Sequence, residues 1–398
     1  MSNSALWNKG FVLIVLVSSL VNFGNYFVGS GFSYWIVDKG GTSATFGLIH
    51  GLYSALCMLA RPVTGWLADH GNRRTTFLFS CFVYVSTLIL MLVSPFFGLF
   101  VAMRLIQGLG VGSATTVVNA QAYSEVSADK MDKGVGYISL ISSLVTAITP
   151  ALAIKSYNQA GPKMLVIWSV ISVLLGVGLS FFVVFRKSTE PQKFNAKNIF
   201  DPKQLFDVRC LKPAIPLACS VYLGLGVRTF VTLYGRSLGF ANPGWFSTIS
   251  AIGLLIVRLV LDRVKSNEAF PRKRVYFAYG VYVIYLVCIA FCKNLAMFYT
   301  AAILWSVCYG ILVPSFTSMV IRAVPAERRG VAASMAGVTS DIGMILGSTV
   351  GGYISDGMGY RALYLLVLIP VIACVIYYRF ALDGKFIPWD EQNHNSES

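Results

Sequence analysis

Charge is what this chain lacks. Only 12% of its 398 residues are Asp, Glu, Lys or Arg, about half the fraction carried by soluble globular proteins. Histidine is scarcer still: three occur, and His50, His70 and His394 are too scattered to form a metal site. Neither a G-x-x-x-x-G-K-[ST] phosphate loop nor a G-x-S-x-G elbow is present, so ATP-driven pumping and serine hydrolysis have no support. Eight cysteines occur without strong metal-ligand spacing. All but Cys210, which falls in a Lys-rich loop, lie in apolar runs, where Cys behaves as a small hydrophobe. The chain is not expected to be an enzyme, and no cofactor or metal is expected.

What is abundant is hydrophobic residue, 56% of the chain, with a mean hydropathy of +0.68. It arrives in long blocks, among them residues 11–29, 78–93, 165–185 and 363–378. A helix needs roughly 20 such residues to cross about 30 Å of hydrocarbon, and the alternation of barrel strands is absent. Punctuation divides the chain into twelve spans: 11–37, 45–64, 75–94, 98–124, 134–155, 163–185, 213–234, 245–261, 275–292, 296–321, 331–354 and 362–380. The first continues through the polar "NFGNYF" with no A-x-A cleavage site, so it reads as a retained span and not a signal peptide. The expected fold is an all-α integral membrane protein with 12 transmembrane helices in two six-helix halves.

Twelve spans put both termini on one side. With the N-terminus inside, the inner loops collect about 21 of the 32 Lys and Arg, against about six outside. The largest block is the central loop, residues 186–212, followed by "RKR" at 272–274 and "AERRG" at 326–330. The net charge of +15 is thus mostly topology, and nucleic-acid binding is dropped as a reading. The organisation expected is a six-helix half over 1–185, a cytoplasmic loop over 186–212, a second half over 213–380 and a cytoplasmic tail over 381–398. A shift of 196 residues lays Gly134 over Gly330 and Ser143 over Thr339, a weak internal duplication of the kind transporters carry.

Two motifs sharpen this. "GWLADHGNRR" at 65–74 resembles the loop between helices 2 and 3 of the major facilitator superfamily, G-x-x-x-D-(R/K)-x-G-(R/K)-(R/K). Gly65, Asp69, Arg73 and Arg74 match. His70 replaces the first basic residue, and Asn72 replaces the second Gly as the next residue most tolerant of left-handed backbone. "RLIQGLGVGSA" in span 4 is similar to the family's R-x-x-Q-G-x-G motif at Arg104, Gln107, Gly108 and Gly110. The resemblance covers essentially the whole chain and implies a secondary transporter working by alternating access. It also implies that the 65–74 loop is a conformational latch on the inside-closed state. In helix 5, Pro150 fits the G-x-x-x-G-P signature of drug/proton antiporters, but Thr149 stands where that signature has Gly.

An ionisable side chain at mid-helix costs at least about 2.5–3.5 kcal/mol, so it needs a reason. Asp341 lies about 15 Å into span 11, near the midplane. Arg104 lies toward the outer end of span 4, and Arg228 in the outer half of span 7. Polar residues share their faces at helical spacing: Ser334 and Ser348 with Asp341, and Gly108, Thr115 and Asn119 with Arg104. Span 1 adds Asn22, Asn25 and Tyr26, and span 5 a run of hydroxyls from Ser139 to Thr149. Tyr222, Trp305 and Tyr309 supply aromatics. The resemblance places spans 1, 4, 7 and 10 around a central cavity, which makes these residues the candidate substrate and proton pathway.

Blander readings stand beside these. Serine and threonine in membrane helices often bond backbone or a neighbouring helix, and the glycines at 343, 347 and 351 read as close helix packing. Arg61, Arg258 and Arg322 lie near inner ends, where snorkelling accounts for them. Asp341 has two open readings, as an ion-pair partner joining the halves or as the proton carrier. Two buried Arg against one Asp leave the path net positive, which points to an anionic or zwitterionic, partly aromatic solute. The function expected is proton-coupled efflux of such a compound, through a cell membrane, by a monomer with protons, lipid and a small molecule as partners. Uptake of an organic acid or sugar is the alternative, and a non-transporting membrane sensor is the alternative of another class.

Overall fold

The structure, a computed structural model, describes residues 8–126, 131–185, 207–263, 272–325, 329–384 and 386. The central loop as far as residue 206 and nearly all of the tail lie outside the described residues. Helices dominate the rest, and no strand occurs among the described residues. Nine helical stretches there are long and apolar enough to cross a membrane, and Trp245–Leu261 adds a shorter apolar helix. Large apolar side chains such as Phe82, Val184, Ile369 and Phe380 stay exposed. A soluble surface would bury them; a lipid-facing one need not.

The chain divides into two compact units, Met1–Gly40 with Leu52–Ile199, and Gly41–Gly51 with Phe200–Ser398. The first holds α1 (Lys9–Asp38), most of α2 (Ser43–His70), α3 (Arg73–Leu92), α4 (Phe97–Ser124), α5 (Met131–Ala160) and α6 (Pro162–Ser180). Its helices start where side chains can answer the orphan N–H groups of a first turn. Asn8 accepts from the Phe11 N–H at 2.6 Å, and Asn72 accepts from the Arg74 and Thr75 N–H groups. That corrects the expectation for Asn72. Its φ is −95°, so the residue serves as a helix cap and not as a left-handed turn. Between helices, Ser169 and Ser172 of α6 donate to the Gly24 and Leu20 carbonyls of α1 at 2.9 and 2.7 Å. Helix α6 stops at Ser180, short of the expected 185.

The second unit departs further from a row of simple spans. A 3-10 turn (Val208–Cys210) leads into α7 (Leu211–Val221). Cys210, expected in a loop, is therefore buried there, with its thiol toward the Val320 carbonyl. Span 7, expected as one helix, is interrupted: a π turn over Tyr222–Gly226 and a 3-10 turn over Val227–Phe230 separate α7 from α8 (Val231–Ser237). Then follow α9 (Trp245–Arg263), α10 (Arg272–Ala290), α11 (Leu295–Arg322), α12 (Arg329–Leu366) and α13 (Leu368–Ala381). Helix α12 carries a corner at Gly359, whose φ of 82° suits a residue without Cβ, and this corner separates the two last expected spans.

The glycine series of α12 does pack closely, and it packs on the interrupted segment. A Cβ on Gly347 would come 2.6 Å from the Tyr222 carbonyl oxygen and 2.7 Å from the Gly226 Cα. One on Gly351 would come 2.9 Å from the Phe230 ring. Small residues allow such backbone approach in membrane helices, and here they support backbone whose own ladder is irregular.

Candidate functional site

In the first unit the ionisable core residue is Arg104 on α4, only 1% exposed. Its guanidinium lies 4.4 Å from the centre of the Phe32 ring on α1 and 4.1 Å from that of Tyr53 on α2. It donates to Gln107 Oε1 one turn along the helix. Tyr53 donates in turn to Asn25 Oδ1 at 2.8 Å. The motif glycines create the room: a Cβ on Gly108 would come 2.7 Å from the Tyr53 carbonyl, and one on Gly110 would come 3.0 Å from the Ser80 carbonyl on α3. Gly108, expected on the polar face, is thus a packing contact. Arg104 Nε and Gln107 Nε2 are buried without hydrogen-bond partners.

The second unit has its counterpart in Arg228, in the 3-10 turn of the interrupted span. Its guanidinium lies 4.2 Å from the centre of the Trp305 ring on α11 and 5.8 Å from that of Phe246 on α9. Trp305 stacks on Tyr309 at 4.7 Å with 12° between planes, and its Nε1–H donates to the Gly224 carbonyl at 2.8 Å. That hydrogen bond ties α11 to a carbonyl of the π turn. Arg228 Nε is buried without one.

Neither guanidinium has a carboxylate partner among the described residues; the ion pairs there include Arg209–Asp207, Arg272–Asp383 and Arg379–Asp383. Arginine keeps its charge in protein interiors. A desolvated cation–π contact contributes about 2 kcal/mol, while the burial of an ion costs several. The rings therefore soften the charge without cancelling it. Both sites remain electropositive and partly apolar.

The other expected residues are placed as follows. Asn22 donates to the Ser18 carbonyl of its own helix at 2.9 Å, while Tyr26 is 38% exposed. Asn119 and Tyr222 are partly buried, and Tyr222 opens the π turn. Asp341 is partly exposed on α12. Hydroxyls mostly bond carbonyls of their own helices, as Thr115, Thr146 and Thr149 do to Val111, Ser142 and Val145. In the latch segment, Arg73 donates to the Ala68 carbonyl, Gln121 Oε1 and Ser124 Oγ at 2.6, 3.2 and 2.8 Å. Arg74 lies over the Phe181 ring at 4.7 Å. Gly65 is mid-helix with open space around it. The side chains of Asp69, His70, Ser143 and Ser334 lie outside the described residues.

Sequence reasoning named Trp305 and Tyr309 but missed the other walls of the two sites: Phe32, Tyr53, Phe246, Tyr285 and Tyr364. Aromatics make up 14% of the chain and recur in every span, so composition does not single these out. No group of three His, Cys, Asp or Glu able to hold a metal occurs among the described residues.

Buried and half-buried positive charge without a carboxylate partner among the described residues, set in apolar helices, suits a membrane carrier, which meets its counter-charge in a transient solute. The model of the Major Facilitator Superfamily matches residues 14–348 and 244–392, and the chain belongs to that family of membrane transporters. The staphylopine export protein of Staphylococcus aureus is 26% identical over 85% of this chain and 87% of its own. A multi-drug resistance efflux pump PmrA homolog of Lactococcus lactis is 24% identical over 92% and 95%. Among solved structures, a bacterial homolog of the lysosomal transporter Spinster superposes with a TM-score of 0.77 at 11% identity, over 95% of this chain and 97% of that one. The nucleoside transporter NupG does so at 0.77 and 12%, over 94% and 100%. These last two establish the fold. The chain is a multi-pass membrane transporter of small molecules, and its homology and fold are not those of an enzyme.

Proposed function

We propose that this transporter exports a small organic anion or zwitterion with an aromatic portion, by proton-coupled alternating access of its two six-helix halves. The observation that carries the reading is the pair Arg104 and Arg228: Arg104 buried, Arg228 partly buried with its Nε sealed from solvent, each against aromatic rings and each without a carboxylate partner among the described residues. A cationic drug would meet repulsion at both. An anion gains a charge-assisted hydrogen bond at either, of the kind about twice as strong as a neutral one. The names of two relatives, an export protein and an efflux pump, support the outward direction. Asp341 is the proton carrier in this reading, being the carboxylate deepest in the spans. The 65–74 segment is the latch, both termini are cytoplasmic, the membrane is the plasma membrane and the unit is a monomer.

The test is metabolite profiling inside and outside cells with and without the gene, followed by transport in vesicles. A compound should accumulate inside the deletion strain, and Arg104→Gln and Arg228→Gln should each slow its export about tenfold or more, the weight of a hydrogen bond to a charged group. Anionic and cationic test substrates carried by both variants at the wild-type rates would sink the reading.

A further inference from the structure

Arg228 is not the only unanswered donor in its neighbourhood. Tyr364, in the last turn of α12, is fully buried, and Tyr282 of α10 is 1% exposed; neither hydroxyl has a hydrogen-bond partner. The phenols of Tyr285, Tyr309 and Tyr364 lie within electrostatic reach of the Arg228 guanidinium, and Tyr282 lies within reach of Tyr285 and Tyr364. Tyr282 and Tyr285 meet edge to face at 5.5 Å, and Tyr364 packs on Tyr234 at 5.6 Å. Three helices and the 3-10 turn thus bring one guanidinium and several phenols together inside the second unit.

The donor inventory decides what fits. A guanidinium only donates, and a phenol donates once. A buried polar group without a partner is costly, and a buried charge without one more so. Water could answer the hydroxyls and leave the charge of Arg228 unbalanced. A metal cation would be repelled by it. An anion answers both, and one negative charge matches the one guanidinium.

We infer that Arg228 and Tyr364 form an interior site for a single monovalent anion, either a halide or the carboxylate of a solute. The site shares its guanidinium with the transport reading above but does not require transport, so binding can be measured with no gradient present. Trp305 against Arg228 supplies the reporter.

The experiment uses the full chain in nanodiscs and titrates sodium iodide, a quencher of indole fluorescence, against the wild type and Trp305→Phe. The difference between them isolates the Trp305 signal. The expected result is saturable quenching reversed by competing anions. Arg228→Gln should weaken it about tenfold or more, and Tyr364→Phe, which keeps the ring, by about tenfold, since each removes a hydrogen bond to a charged group. Sodium chloride and sodium formate are the two competitors: displacement first by formate assigns the site to carboxylates, and first by chloride to halides. Quenching that rises linearly with iodide, equal in wild type, Arg228→Gln and Tyr364→Phe, overturns the inference. So does competition by neither anion. If Arg228→Gln does not fold, Tyr364→Phe decides alone. Export lost in Arg228→Gln with anion binding intact overturns this inference and spares the transport reading; the reverse pattern spares the anion site.

Discussion

The guanidinium of Arg228 lies 4.2 Å from the centre of the Trp305 ring, and the N–H of that same indole donates to the Gly224 carbonyl at 2.8 Å. One side chain therefore faces the guanidinium and also hydrogen-bonds the backbone of the segment that presents it. Trp305→Phe should keep most of the stacking but remove the hydrogen bond to the Gly224 oxygen, at a cost of about 0.5–1.5 kcal/mol. Trp305→Ala should cost about 3–5 kcal/mol by adding a cavity. Thermal unfolding in detergent measures both, and equal stability of Trp305→Phe and wild type would remove the indole hydrogen bond from the account.

Gly347→Ala tests the seam between α12 and the interrupted span. The added methyl would sit 2.6 Å from the Tyr222 carbonyl oxygen and 2.7 Å from the Gly226 Cα, so two backbones must separate. Overpacking of this kind costs about 1–3 kcal/mol. Gly337→Ala, on the same helix with nothing near its Cβ, is the matched control and should be nearly neutral. Unfolding midpoints of the two variants should differ in that order.

Asp341→Asn bears on proton coupling. If this carboxyl carries the proton, the variant should lose uphill transport driven by a pH gradient while still exchanging solute across vesicles at equal pH. Gradient-driven transport at the wild-type rate would take Asp341 out of the coupling role.

A pH effect is expected at the end of the second unit where α10 begins and α13 stops. The carboxylate of Asp383 is nearly buried, with 6% of its side chain exposed, and accepts from Tyr276 and Arg379 at 2.8 Å, with Arg272 at 3.5 Å. Burial acts to raise its pKa, but the Tyr276 and Arg379 hydrogen bonds and the Arg272 and Arg379 charges hold it below the usual carboxylate range. A lowered folded-state pKa means stability that is present above about pH 4, the unfolded value, and lost as pH falls through the folded value. Asp383→Asn should therefore unfold at a lower temperature than wild type near neutral pH, and the gap should close in acid. A gap independent of pH would point to packing instead of charge.

Much of the fold was legible in the sequence because hydrocarbon imposes a coarse rule. Each crossing needs a long apolar run, and an irregular backbone cannot face lipid. Every expected span accordingly has helix at its position among the described residues. Helix ends were less legible: Asn72 reads as a left-handed residue or a cap with equal ease, and only the 3D placement of the Arg74 and Thr75 N–H groups decides. The break in span 7 had one local hint, the closely spaced Gly224 and Gly226. Glycine pairs are common in membrane helices, so the hint pointed to packing as readily as to a π turn.

By itself the sequence determined that this is a helical membrane protein and that Arg104 and Arg228 are costly residues needing a reason, since ionisable groups are rare enough in apolar runs to stand out. Only the tertiary structure decided what surrounds them. Which of the many aromatics line each guanidinium depends on which helices are neighbours, and neighbours in space leave no mark at any fixed spacing along the chain. The absence of a carboxylate partner for Arg104 and Arg228 among the described residues was likewise a matter of tertiary placement, because a single Asp in a distant span could as well have been folded against either one.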